Sequence, residues 1–400
     1  MKRNGVVILF VVLAVSLSGC VSGQDNLNIN KKTFPDENIR EYVKSLDSDY
    51  NGKLSVSERE GVTSLVLSDV CDLTGLESFP NLESIEIQNC WIASEADFGN
   101  ISKLKDLSII GSHYVEKINL SRNDNLETFI YYDNSSYGLE ELNLPSQSKS
   151  LKKIQIGNSK LTDLNLSGFE CLEEVDLSFD ELTGVKVSDC PNLEKLSCYV
   201  NDKLSTLEIN NCPKLSDLNC GKCSLTSLDL SGCPNLTILY CENNKLTSLD
   251  LSKTQELSFV NCSENEISAL DLSACTKLTG LHCGENKLSA LDVSCCPDLD
   301  SIECIGNELT GLKIGTNENL TLILCYNNKL SDLDVSGCPN LERLLCGDNN
   351  LNSLDISKCP KLINLVESVE PKTYEKINNI AYDSDDGRGL YFDPDVDLKK

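Results

Sequence analysis

Histidine is nearly missing from this chain: of 400 residues only His113 and His282 are histidines. A nucleophile that needs an imidazole within hydrogen-bond reach has few places to form. His282 also precedes Cys283 on a predicted strand, so the two side chains leave on opposite faces. No other triad and no phosphate-cradling glycine loop can be read, and the chain reads as non-enzymatic. Positive charge is short too. With 35 basic against 62 acidic side chains and a net charge of −27, no basic stripe exists to neutralise phosphates. That argues against nucleic acid and against a bare anionic membrane surface as partners. Apolar runs are confined to the first residues, and nothing after them is long enough to span a bilayer.

That one run, Val6 to Leu17, follows Lys2 and Arg3 and ends in small residues, the three-part layout of an export signal. Leu17-Ser18-Gly19-Cys20 resembles the lipobox of bacterial lipoproteins. The resemblance implies a signal peptide over 1–19, cleavage before Cys20, a diacylglyceryl group on its thiol, and a polar linker over 20–33. The protein is then expected in the cell envelope, outside the cytoplasm, touching the membrane only through its lipid. An uncleaved anchor or an ordinary secretory signal is the plainer alternative.

In FPDENIREYVKSL the residues Ile39, Tyr42, Val43 and Leu46 share one helical face. The helix runs into Asp47-Ser-Asp49-Tyr-Asn51-Gly52-Lys53-Leu-Ser55-Val-Ser-Glu58, with oxygen donors at positions 1, 3, 5, 9 and 12 and glycine at 6. The loop resembles an EF-hand. The resemblance implies a Ca2+ site over 34–61 built from Asp47, Asp49, Asn51, the Lys53 carbonyl, Ser55 and Glu58. Gly61 cuts the exiting helix short and no second loop follows, so modest affinity is expected.

From Leu82 the pattern L-x-x-[LIVF]-x-[LIVCY] restarts at 104, 126, 151, 172, 193 and 215, then every 21 residues to 362. One such unit cannot bury its apolar edge alone, so a repeat of this length means a solenoid. Within a unit Leu236-x-x-Leu239-x-Cys241-x-x-Asn244 is followed by Leu246-x-x-Leu249-x-Leu251, which predicts two short extended segments per coil. The pattern is similar to that of the bacterial leucine-rich repeat family with a 21-residue nested period. The resemblance implies a curved right-handed coil of stacked parallel strands over 62–366, with a small C-terminal cap over 367–400, and partner binding as the broad function.

Cys220, Cys241, Cys262, Cys283, Cys304, Cys325 and Cys346 stand where earlier units have Ile87, Ile109, Ile156 and Leu177, which marks them as small core hydrophobes. A second, broken column runs from Cys190 to Cys359. Side chains of one column project in parallel, unlike the converging pair a disulfide requires. Free thiols are therefore expected, and in an exported chain they point to a reducing or anoxic habitat. Cys220-x-x-Cys223 could seed a metal or redox site, although Cys223 falls in the asparagine column Asn244, Asn265, Asn286, Asn307, Asn328 and Asn349. That column is expected to satisfy backbone groups of neighbouring coils. The aspartates Asp229, Asp250, Asp271, Asp292, Asp334 and Asp355 must be solvated, hydrogen-bonded by nearby serines or shared with cations.

The residues between the buried positions should face outward. That register gives Ile238, Tyr240, Phe259, His282, Leu322, Leu324, Tyr326, Arg343 and Leu345, a candidate ligand surface in two clusters, around Tyr240 with Phe259 and around Leu324 with Tyr326. A protein ligand is the leading expectation for a monomeric chain. A glycan stacked on the rings, or a calcium-stiffened spacer without a ligand, are the alternatives.

Overall fold

The computed structural model describes residues 26–92, 94–133, 138–146, 148–368, 379–382 and 389–400. Cys20 with its leader and the acidic turn at Asp385 lie outside the described residues. Among those described, no helix is long and apolar enough to cross a membrane. The chain divides into two compact units at residue 193.

The first unit opens with the predicted helix, Glu37–Leu46. Asp36 caps it by accepting from the Asn38 and Ile39 amides, and Ile39 and Val43 form its buried stripe. The other Asp36 oxygen accepts the Cys71 amide at 2.9 Å, which ties the helix to the first coil. A five-residue helix, Val56–Glu60, follows the acidic loop and stops at Gly61. Parallel strands then stack, Ser64–Ser68 on Ser84–Gln88, Asp106–Ile110, Thr128–Tyr132, Lys153–Gly157 and Glu174–Asp176. Inward positions such as Leu65, Ile85, Leu107, Phe129 and Ile154 are almost wholly buried.

Within the second unit, three-residue strands stack on one another. Ile238–Tyr240, Phe259–Asn261, Gly280–His282, Ser301–Glu303, Leu322–Leu324 and Arg343–Leu345 pair in parallel without a slip in register. Every cysteine from Cys71 to Cys359 is a free thiol, and all but Cys71, Cys171 and Cys295 are buried. Each asparagine of the column works on two coils at once. Asn265 donates to the carbonyls of Cys241, Cys262 and Ser263 and accepts the Leu246 amide at 2.9 Å. Where Cys223 replaces asparagine, its thiol reaches the Cys198 carbonyl at 3.3 Å. The aspartates are exposed, and each accepts the amide of the serine two residues on, as Asp250 does from Ser252 at 2.9 Å. Those amides hold the carboxyls below the ordinary carboxylate range.

One repeat start is corrected. Leu362 begins no strand; it lies in the helix Pro360–Ser368, with Leu362 and Leu365 buried one helical step apart. The inward slot that holds a thiol in other units is Glu367 in this sequence, and a carboxylate is too costly to bury unpaired. The vacated place beside Arg343–Leu345 is taken by Gly389–Phe392, itself paired antiparallel to Asn379–Tyr382. Asp397–Lys399 adds to Ser353–Asp355. The segment expected as a cap thus extends both strand columns.

Candidate binding surface

Alternation along each short strand sends its central residue inward and its flanking residues out. In the second unit Ile238, Phe259, Leu322 and Arg343 fall in one outward column, and Tyr240, His282, Leu324 and Leu345 in the next. All eight are half-buried rather than fully exposed, and so is Tyr326 just past its strand. Their neighbours on the sheet cover them in part. The Tyr240 and Phe259 ring centroids are 5.2 Å apart at 43°, and Phe259 meets His282 edge-on at 5.1 Å and 75°. His282 Nε2 lies 3.8 Å from Glu303 Oε1. The Cys283 thiol is in the core on the opposite side of the strand.

Gly280 makes the ring contact possible. It pairs with Phe259 in register, and a Cβ there would sit 2.7 Å from Phe259 Cδ2. The ring therefore lies over a residue without a side chain. The leucine cluster gains a member that repeat reasoning missed, because Leu345 pairs with Tyr391 of the strand Gly389–Phe392. Tyr391 lies over Gly347 and donates to Asp348 Oδ2 at 3.0 Å. Burial and that carboxylate push its hydroxyl up to about 12. Tyr391 stands outside the periodic pattern, so only its aromatic character could have signalled it.

The first unit carries exposed aromatics that the register argument passed over. Trp91, 53 % exposed, lies 4.6 Å from the His113 ring and 5.9 Å from that of Tyr114, centroid to centroid. On its sheet face Ile110 pairs with Tyr132, whose ring crosses Gly157. Trp91 is the chain's single tryptophan. It sits at a turn after its strand, where a search confined to strand positions does not look.

In the acidic loop the carboxylates of Asp47, Asp49 and Glu58 lie within 4.8 Å of one another. The Asn51 and Gly52 amides point at Asp47, and the Lys53 amide at Asn51 Oδ1. These bonds wrap the loop with its oxygen donors inward. Glu58 closes a capping box with Ser55 and also accepts from Ser48. Burial works against its ionisation, yet those hydrogen bonds keep its carboxyl below the ordinary value. No second loop follows, and the strand that pairs with this one is Leu27–Asn28, antiparallel to Lys53–Leu54. The three carboxylates converge and the donors of the loop are all hard oxygens, a set that fits Ca2+.

A family model described as the leucine-rich repeat domain of the endo-beta-N-acetylglucosaminidase EndoS matches residues 34–159, spanning the acidic loop and the first coils. No curated protein matches the chain. Among solved structures, the functional domain of InlJ from Listeria monocytogenes, described as including a cysteine ladder, is 23% identical, with 86% of this chain and 81% of that one covered at a TM-score of 0.53. YopM, a leucine-rich effector protein of Yersinia pestis, is 24% identical over 78% of this chain and 88% of its own, at 0.55. A leucine-rich repeat protein of Leptospira interrogans is 18% identical over 74% and 88%, at 0.52. With the parallel coils above, these likenesses establish the fold as a leucine-rich repeat solenoid.

Proposed function

We propose that the protein is a lipid-anchored binding protein of the bacterial envelope that docks a protein partner on the outward strand face of residues 194–400. One observation carries this reading. Apolar and aromatic side chains, Tyr240 with Phe259 and Leu322 with Leu324, Leu345 and Tyr391, recur on the face whose partner column is buried, where the packing of the core does not require them. Contiguous groups of this kind are the usual anchors of an interface. A binding rather than catalytic role agrees with the His282 ring and the Cys283 thiol lying on opposite sides of their strand.

Cys20 carries the lipid in this reading, and Asp47, Asp49, Asn51, Lys53, Ser55 and Glu58 hold a calcium ion that orders the N-terminal loop. The test is capture of a partner by the chain beginning after Cys20, from envelope extracts and extracellular proteins. Phe259→Ala and Leu324→Ala should each lower the affinity by about tenfold, the cost of a central apolar anchor. Unchanged capture by both variants would reject the surface.

A second reading is favoured by Trp91. Its exposed ring with His113 and Tyr114 offers stacking faces for a glycan, and the matching family model is named for the repeat domain of a glycan-cleaving enzyme. Glycan-array binding that disappears in Trp91→Ala would support it, and an array with no bound glycan would remove it.

A further inference from the structure

Two independent features of the same face concern charge. The first is Glu242, one outward step beyond Tyr240. Its carboxylate folds over Gly221, in space a Cβ would occupy. Oε2 is buried and has no hydrogen-bond partner among the described residues. Burial also lifts the carboxyl above its ordinary value. Lys222, on the preceding coil, turns toward Tyr199 and places Nζ 5.4 Å from that ring's centroid.

The second feature is the sign of the border around Tyr240, Phe259 and His282. Asp217 pairs in register with Ile238 on one side, and Glu303 faces His282 on the other. Glu264 and Glu285 occupy the exposed turn positions beyond the strands. Ring faces attract a guanidinium or ammonium group within about 6 Å of the centroid, and arginine also stacks on them. A cation is thus the side-chain class that the rings, Glu242 and the acidic border all favour.

We propose that the segment docking on Tyr240, Phe259 and His282 is basic, with an arginine or lysine side chain lying over the rings and its charge paired to Glu242. This rests on the reading of that face as the docking surface and specifies the partner's chemistry.

The test uses the chain beginning after Cys20 and a fluorescent peptide of alternating glycine and arginine, beside its citrulline counterpart, at low and moderate salt. The expected result is saturable binding of the arginine peptide alone, weakened about fivefold by Glu242→Gln and by Phe259→Ala. Asp334→Asn, away from this face, should leave it unchanged. Equal weakening by all three variants, or by none, would mean diffuse attraction to an acidic chain and would overturn the proposal. A partner captured from extracts separates the two readings. If Phe259→Ala abolishes its capture while Glu242→Gln and added salt do not, the docking surface stands and the basic partner falls. If neither Phe259→Ala nor Leu324→Ala has an effect, the docking surface itself falls.

Discussion

Gly280 shows how much a single missing side chain can organise. Because no Cβ stands there, Phe259 lies across the strand and bridges Tyr240 to His282. Gly280→Ala puts a methyl group 2.7 Å from Phe259 Cδ2, so the ring has to swing outward. The strand itself tolerates alanine. The expected outcome is partner affinity lowered by about fivefold with a melting temperature changed by only a few degrees, read from binding and thermal unfolding on one preparation. The inward or outward direction of Tyr240, Phe259 and Leu324 was legible, because period-2 alternation inside a fixed repeat leaves one choice. The ring-over-glycine contact was not legible, since it joins residues 21 positions apart through a side chain that is absent. Trp91 and Tyr391 were missed for a related reason: neither occupies a repeat position, so no register applied to them.

At the scale of elements, the thiol column carries a pH signature. Burial pushes Cys262 and Cys304 up to about 12 from the ordinary 9.0. An acid whose folded pKa exceeds its unfolded value contributes stability that is complete below the unfolded pKa and lost as pH rises through the folded one. The free energy of unfolding should therefore decline between about pH 9 and 12, and the decline should be shallower in Cys304→Ala, measured by urea unfolding across that range. Parallel curves for the two proteins would contradict the assignment. The acidic loop permits a separation of roles. Glutamine still closes a capping box but is a poorer calcium ligand. Glu58→Gln keeps the box but loses the acceptor for Ser48, so it should lower the calcium-free melting temperature by only a few degrees and abolish its rise with millimolar calcium, as followed by calorimetry. Repeat period and core columns were readable because each is a spacing rule, and so was the convergence of Asp47, Asp49 and Glu58 in the acidic loop. The C-terminal strands Gly389–Phe392 and Asp397–Lys399 were not, since they rejoin the two strand columns after a break in the period.

For the whole molecule, the charge of −27 disfavours anionic partners and shortens the list of surfaces on which the protein can settle. The outward face of residues 194–400 combines that charge with half-buried rings and leucines, whereas the aspartate-bearing segments of the same coils present carboxylates bound to their own serine amides. The central claim is that a partner meets the first of these faces and not the second. Its most direct test is photo-crosslinking in cells that express the full chain, with benzoylphenylalanine replacing Phe259, Leu324 or Asp250 in separate strains. The account predicts one shared crosslinked species from positions 259 and 324 and none from 250. Crosslinks from position 250 alone, or equally from all three, would contradict it.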